Sequence, residues 1–244
     1  MTPQAPPLGA AFDSAEAKRV FVRRLFATIA DRYDLITVLL SFGRDRAWKS
    51  RLASLAGPLD GRRALDVACG TGDIVRELAG RGAMVVGLDV THRMLQLASG
   101  RERGVPFVTG DMMALPFDAG RFDVVTTGYG LRNVPELAPA LSEIHRVLKP
   151  GGLLLSLDFN RPANRVVRSV YLGYLTLVGA ALGLALHGDP DTYRYIPESI
   201  RRYPGAVGVL ELLENQGFVQ AEYRPVLGGL MAIHRARRPP AVAP

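Results

Sequence analysis

The sequence predicts an α/β fold: a Rossmann-like, doubly wound parallel sheet closed by a C-terminal antiparallel hairpin. Three observations predict it. From residue 61 onward, short apolar runs alternate with stretches of helical spacing. The first run ends in a glycine-rich turn, Asp66-Val67-Ala68-Cys69-Gly70-Thr71-Gly72-Asp73, which leads straight into a helical pattern. The last two runs are separated by Gly228-Gly229, a tight turn that makes adjacent strands antiparallel.

Ahead of the repeat stand three helix patterns. In residues 14–30, Val20, Phe21, Leu25, Phe26 and Ile29 recur near helical spacing, and Ser14 offers a cap. Helices are also expected over 35–40 and 45–55. No strand pattern follows any of them, so 14–60 reads as an N-terminal helical lid. Strands are then expected at 64–68, 84–89, 105–109, 122–127 and 153–159, the last entered through the Lys-Pro-Gly-Gly turn at 149–152. The helices between them are expected at 72–81, 91–100 and 137–148. A helix over 205–216 and strands over 218–226 and 230–235 complete the sheet. Residues 160–204 are too many for an ordinary connection and read as an insertion on the substrate side. The domain proper therefore covers 61–238, and 1–13 and 239–244 read as disordered Pro/Ala-rich tails.

At 244 residues and 48% apolar content, the chain can build one substantial core. It carries 30 Lys+Arg against 23 Asp+Glu, a formal charge of +7, but the basic residues are scattered and form no long block. Nucleic acid is therefore not an expected partner. The single cysteine, Cys69, cannot form an intramolecular disulfide, which fits a reducing cytoplasm. Residues 1–11 lack the basic-then-apolar pattern of a signal peptide. No His, Asp or Glu spacing points to a metal.

The chemistry gathers at successive strand ends. Gly70 and Gly72 let the backbone turn sharply, and a helix N-terminus stands behind them with free N–H donors. Asp89 ends the next strand, about 20 residues on, where an acid accepts both hydroxyls of an adenosine ribose. Gly110-Asp111-Met112 follows the third strand; Asp111 is placed to receive an adenine amino group and Met112 to pack the ring. With Asp66, three acids line the carboxyl edge of the sheet, where doubly wound folds bind ligands. A dinucleotide fingerprint would need a third glycine at 75, where Val75 stands. The pattern therefore favours S-adenosylmethionine over NAD, and a parallel sheet ending in an antiparallel hairpin is typical of class I methyltransferases.

The chain also resembles one family, the ubiquinone/menaquinone biosynthesis C-methyltransferases. The resemblance rests on IADRYDLITVLLSFGRDRAWK (29–49), LDVACGTGD (65–73), ALPF (114–117), GLRNV (130–134), RVLKPGG (146–152), YRYIPESIRRYPG (193–205) and GGLMAIHR (228–235). It implies methyl transfer from S-adenosylmethionine to a ring carbon of a reduced, polyprenylated quinone precursor, demethylmenaquinol in one branch and a methoxy-benzoquinol in the other. It carries cofactor contacts onto Thr71, Asp89, Asp111 and Met112. The family's small polar residue after the fourth strand is replaced by Gly128, and a proline of the insertion by Ala180.

A quinol carbon becomes nucleophilic when a ring hydroxyl loses its proton. Arg132, beside Asn133 after the fourth strand, is expected to face the ring and stabilise the phenolate charge. Tyr33, Tyr193 and Tyr195 are expected to wall the ring pocket. His145 reads as structural, and His234 falls in the terminal strand, away from the expected methyl site. Residues 169–188 carry no Asp, Glu, Lys or Arg and are long enough to span a bilayer. A true span would separate the terminal hairpin from its sheet, so this stretch reads as a lid helix that receives the polyprenyl tail. Arg161, Arg165 and Arg168 are placed to meet anionic headgroups at the inner face of the membrane. Two other functions stay open here: a class I methyltransferase acting on another small lipid or phenol, and a non-catalytic cofactor-binding scaffold. The tetrapeptide N-P-P-Y of nucleic-acid methyltransferases is absent.

Overall fold

The parallel strands run as the alternation predicts. A computed structural model describes residues 7–41 and 43–241. It contains β1 (Arg63–Val67), β2 (Met84–Asp89), β3 (Phe107–Thr109), β4 (Phe122–Gly128), β5 (Leu148–Phe159), β6 (Val219–Val226) and β7 (Met231–Arg237). They form one seven-stranded sheet in the order β3-β2-β1-β4-β5-β7-β6. The first five are parallel; β7 runs antiparallel between β5 and β6, with Leu157 opposite Ile233. The order reverses between β1 and β4, and that switch point opens a crevice at the strands' carboxyl ends.

Helices α4 (Asp73–Ala79), α5 (His92–Arg101), α6 (Leu137–Val147) and α9 (Gly205–Asn215) cover the sheet. Two apolar cores result. One joins α6 and α9 to the sheet through Leu141, Ile144, Val209 and Leu213. The other joins α4 and a helix of the lid, α3 (Asp45–Ser54), through Trp48, Leu52, Val75 and Leu78. Each fully buried Leu of this kind contributes roughly 1.5–3 kcal/mol. The lid is thus built into the second core rather than resting on it.

Several boundaries differ from the sequence reading. The helix after the glycine turn begins at Asp73, because Gly72 is left-handed at φ +88°. The third strand starts at Phe107. The fifth strand already begins at Leu148, which pairs with Phe122, so the Lys-Pro-Gly-Gly turn is an irregularity inside a strand. The expected N-terminal tail is ordered where it is described. Residues Ala10–Phe12 form a 3-10 turn, Ala11 is fully buried and the Phe12 ring stacks on Tyr195 at 5.6 Å. Residues 1–6 and 242–244 lie outside the described residues.

Helices α1 (Ala15–Ile29) and α2 (Tyr33–Leu40) complete the lid. The Ser14 hydroxyl caps α1, accepting from the Ala17 N–H at 3.0 Å. The insertion folds into two helices, α7 (Arg165–His187) and α8 (Asp191–Arg202). Gly179 and Gly183 let them approach closely. A Cβ at Gly179 would stand 3.1 Å from the Tyr193 carbonyl oxygen, and one at Gly183 would collide with that of Asp189. Glycines that weaken an isolated helix therefore serve the packing here.

Candidate active site

The crevice holds three neighbouring hollows. Tyr33 lines all three. The smallest lies at the end of β1, between Asp66, Gly70, Thr71, Lys49 and Asp73. The second, about 90 Å³, runs past Gly70, Asp89, Asp111, Met112, Gly128 and Asn133. The third is a cavity of about 570 Å³ walled by aromatic and aliphatic side chains from the lid, the insertion and the terminal hairpin.

The first two hollows hold the residues expected to bind the cofactor. Asp89, at the end of β2, accepts from the Gly70 N–H at 2.9 Å and the Thr91 N–H at 2.8 Å. It thereby ties β2 to the glycine turn. Gly70 is left-handed at φ +53°. Asp111 accepts from the Met113 N–H at 2.8 Å and pairs with Arg19 of α1 at 3.2 Å. Thr71 donates to Asp34 of α2 at 2.7 Å. Gly128 sits on the floor of both hollows; a Cβ there would come within 2.7 Å of Ile74 Cδ1. Gly72 departs from its expected place. It lines neither hollow; a Cβ there would face Ala98 of α5 at 3.4 Å.

These hollows suit S-adenosylmethionine on one structural observation. Asp66 Oδ2 and Asn133 Oδ1 are buried acceptors without a partner in the chain, one in each hollow. An ammonium-bearing cofactor with further N–H and O–H donors satisfies acceptors of this kind. Burial pushes the Asp66 carboxyl up to about 7, against a 2.7 Å hydrogen bond from Thr126 that pulls it down. Burial also raises Asp89, opposed by its backbone N–H donors.

The large cavity holds Tyr33, Tyr193 and Tyr195 in its wall, as expected. Tyr193 shares a 2.8 Å hydrogen bond with His187, while Tyr195 OH is buried without a partner. Arg132 lines the same cavity and is buried. Its Nη1 donates to Asp158 at 3.0 Å and to the Tyr129 carbonyl at 3.0 Å, and its Nε has no partner. Its guanidinium lies 4.7 Å from the Phe159 ring centre. Asn133 lies on the other side, in the cofactor hollow, with Nδ2 donating to the Tyr129 carbonyl at 2.7 Å. The expected pair thus splits between the two compartments. His145 packs edge-on against Phe218, and His234 bonds Ala206 O from within the sheet, so both serve the fold.

Sequence reasoning missed four groups. Asp158, at the end of β5, is the counter-ion of Arg132. Asp45 and Lys49 pair across one turn of α3 at 2.6 Å, and Lys49 also reaches Asp73 at 2.9 Å. Burial opposes the Lys49 charge, but Asp45, Tyr33 and Asp73 outweigh it and hold the ammonium above its ordinary range. Tyr129, at the end of β4, donates to Asp45 at 2.7 Å and lines both the cofactor hollow and the large cavity. The i, i+4 spacing of Asp45 and Lys49 was the one available signal.

Comparison with known proteins gives the family and the fold. A demethylmenaquinone methyltransferase of Mycobacterium sp. (strain KMS) is 40% identical over 219 residues, spanning 90% of this chain and 94% of that protein. One from Corynebacterium kroppenstedtii is 36% identical over 224 residues, spanning 92% and 97%. Among solved structures, a SAM-dependent methyltransferase of Thermotoga maritima superposes with a TM-score of 0.65 at 17% identity, covering 89% of this chain and 99% of that one. A Haemonchus contortus phosphoethanolamine N-methyltransferase in complex with S-adenosyl-L-methionine gives 0.59 at 17% identity, covering 79% and 52%. These last two share the fold. A family model matches residues 12–238, nearly the whole chain, and on that match the protein belongs to the ubiE/COQ5 methyltransferase family.

Proposed function

We propose that the protein methylates a ring carbon of a reduced, polyprenylated quinone precursor, demethylmenaquinol, in menaquinone biosynthesis. The supporting observation is the cavity beside the cofactor hollows: about 570 Å³, almost wholly apolar, with the buried donors Arg132 Nε and Tyr195 OH unpartnered in its wall. A flat hydroxylated ring on an apolar tail has the chemistry to fill it. S-adenosylmethionine supplies an electrophilic methyl group when bound. Asp66, Gly70, Thr71, Asp89, Asp111, Met112, Gly128 and Asn133 would hold it, and Tyr33 and Tyr129 line both its hollow and the cavity where the ring would meet the methyl group. Arg132 faces the ring and offers Nε to the oxygen that gains charge. Its pairing with Asp158 fixes the guanidinium while leaving that donor free.

The test is transfer of labelled methyl to chemically reduced demethylmenaquinone, with a methoxy-benzoquinol precursor in parallel. Label in menaquinol alone supports the reading; label in both marks an enzyme serving both branches. Label in neither, with cofactor binding intact, sinks it and returns weight to another phenolic or lipid acceptor or to a scaffold.

The same reading places the protein in the cytoplasm, peripherally at the inner face of the membrane. Helix α7 has the length and hydropathy of a span. Yet the strands before and after the insertion, β5 and β7, pair in one sheet, and α8 returns from α7 bearing Arg194, Glu198, Arg201 and Arg202. Instead α7 turns an apolar face outward: Val166, Val170, Leu177 and Leu184 are exposed, while Val166 and Val170 also edge the cavity. Exposed Arg161 and Arg165 stand at its start. This arrangement suits a tail drawn from an anionic bilayer. Leu177→Glu is expected to lower sedimentation with anionic vesicles several-fold and to leave turnover of a short-tailed quinol unchanged. Wild type that ignores such vesicles and turns over short- and long-tailed quinols equally defeats this placement.

A further inference from the structure

Methylating a quinol carbon requires that a hydroxyl proton go somewhere, and the cavity offers few destinations. We infer that the Asp45 carboxylate takes it, an assignment that rests on the quinol reading above. Asp45 is the one carboxylate among the described residues that line the cavity. It is buried, and it opens α3, where the helix dipole favours negative charge.

The other polar groups fit the role poorly. Arg132 is a cation paired with Asp158 and has no acceptor atom. Lys49 is clamped between two carboxylates. Burial pushes Tyr33 up to about 12, and raises Tyr195 and Tyr171 as well, so none of these phenols is readily ionised to act as a base. Asp45, by contrast, meets only donors: Tyr129 OH on Oδ1 at 2.7 Å and Lys49 Nζ on Oδ2 at 2.6 Å. A carboxylate has about four acceptor positions, so room remains for a quinol hydroxyl.

Tyr129 explains how Asp45 is aimed. Its backbone is left-handed at φ +60°, which is uncommon for a bulky residue. Three hydrogen bonds hold it so: its N–H donates to Leu157 O at 2.7 Å, and its carbonyl accepts from Arg132 Nη1 at 3.0 Å and Asn133 Nδ2 at 2.7 Å. The strained residue thereby carries its hydroxyl to Asp45 at the boundary between the two compartments. Arg132 and Asp45, of opposite charge, both line the large cavity and bond the two ends of Tyr129, its carbonyl and its hydroxyl. One stabilises the oxygen as it becomes negative; the other removes its proton.

The step balances. The quinol O–H bond breaks and its proton passes to Asp45. The electron pair released into the ring forms the new carbon–methyl bond at the ring carbon, and the methyl–sulfur bond breaks with its pair retained on sulfur. Asp45 returns its proton to the oxygen and, a carboxylate again, receives the proton that leaves the methylated carbon as the ring regains aromaticity. It then passes that proton to solvent, so one proton is released overall.

The experiment compares wild type, Asp45→Asn and Tyr129→Phe on reduced demethylmenaquinone, with cofactor affinity measured by calorimetry. For Asp45→Asn, affinity is expected within about threefold of wild type and kcat lower by roughly 10²–10⁴-fold. A ring-fluorinated quinol, whose hydroxyl is more acidic, should recover roughly tenfold or more of that loss relative to wild type. Turnover of Asp45→Asn within threefold of wild type overturns the assignment. So does an equal loss on both quinols, which marks a structural role. Tyr129→Phe keeps the Lys49 pair and removes the hydroxyl that aims Asp45, so kcat should fall several-fold, with part of that loss recovered on the fluorinated quinol. This carries the test if Asp45→Asn does not fold, and an unchanged kcat or an equal loss on both quinols overturns the assignment. Wild type inactive on the parent quinol refutes the quinol reading itself, a separate outcome read before any variant.

Discussion

Replacing Asp66 by Asn should remove a pH dependence from cofactor binding. The carboxyl lies at the end of β1, fully buried, with Oδ1 accepting from Thr126 and Oδ2 unpartnered. Burial holds it up at about 7. To accept an ammonium group it must be ionised. With that value it is ionised in roughly 3% of molecules at pH 5.5 and about half at pH 7, so affinity should rise roughly fifteenfold over that interval. Calorimetric titration with S-adenosylmethionine at half-unit steps measures it. Asp89 is also raised by burial, so the variant is needed to separate the two. Asp66→Asn should bind more weakly at pH 7 and show a flatter profile. A flat or falling wild-type profile, or a slope unchanged in Asp66→Asn, refutes the reasoning. Folding stability carries the opposite sign. The folded protein keeps this proton between about pH 4 and pH 7 while the unfolded chain has lost it. Stability of the cofactor-free protein therefore falls across that window by on the order of 4 kcal/mol, full below it and lost above it. Urea titrations of wild type and Asp66→Asn at pH 5 and pH 7.5 should differ in that direction.

Three further outcomes are expected. Arg132→Met strands the buried Asp158 charge and should cost about 3–5 kcal/mol in chemical denaturation, with turnover falling about a hundredfold or more. Adding Asp158→Leu should restore stability and not turnover. Gly130→Ala would drive a Cβ into Thr127 Oγ1 and to 2.9 Å from Ala68 Cβ, and should cost about 1–3 kcal/mol and weaken cofactor binding. Phe12→Ala removes the ring stacked on Tyr195 and faced by Arg202 at 4.2 Å; KM for the quinol should rise several-fold while cofactor affinity stays unchanged.

The cofactor half of the site was legible because its residues are local to strand ends. Asp66 and Asp89 stand at the ends of their strands, and Gly70, Asp111 and Met112 lie just beyond one, where the apolar run stops. A parallel sheet then brings those ends together whatever the helices do. Gly72 lies outside both hollows; a glycine that supports a turn and one that admits a ligand look alike in sequence. The substrate half follows no such rule. Tyr193, Tyr195 and Arg132 were recoverable only through family resemblance. Asp158 reads as one more polar residue at a strand end, and its meaning comes from Arg132 standing 26 positions earlier. Tyr129 gives no signal at all, since its function depends on a left-handed backbone that its neighbours impose.

The division of labour between sheet and lid accounts for where that illegibility lies. The strand ends present polar groups to one side of Tyr33 and Tyr129, and a carbon-methylating enzyme needs its acceptor on the other. A parallel sheet has no further edge to give, so the second wall comes from helices before and after it: α1 and α2 through Phe26, Tyr33 and Ile36, α7 and α8 through Tyr171, Tyr174 and Tyr195. These segments are tethered to the cofactor residues themselves, Arg19 to Asp111 and Asp34 to Thr71. Such partly exposed pairs contribute about 0–1 kcal/mol each, too little to hold the lid by themselves. What fixes it is α3, whose Trp48 and Leu52 enter the core beneath the sheet. The same buried face of that helix carries Asp45 and Lys49, toward Asp73 and Tyr129. Anchoring the lid and placing the Asp45 carboxylate in the wall of the cavity are therefore one structural act. A substitution that loosens α3, such as Leu52→Ala, should lower kcat as well as stability even though Leu52 touches neither ligand compartment.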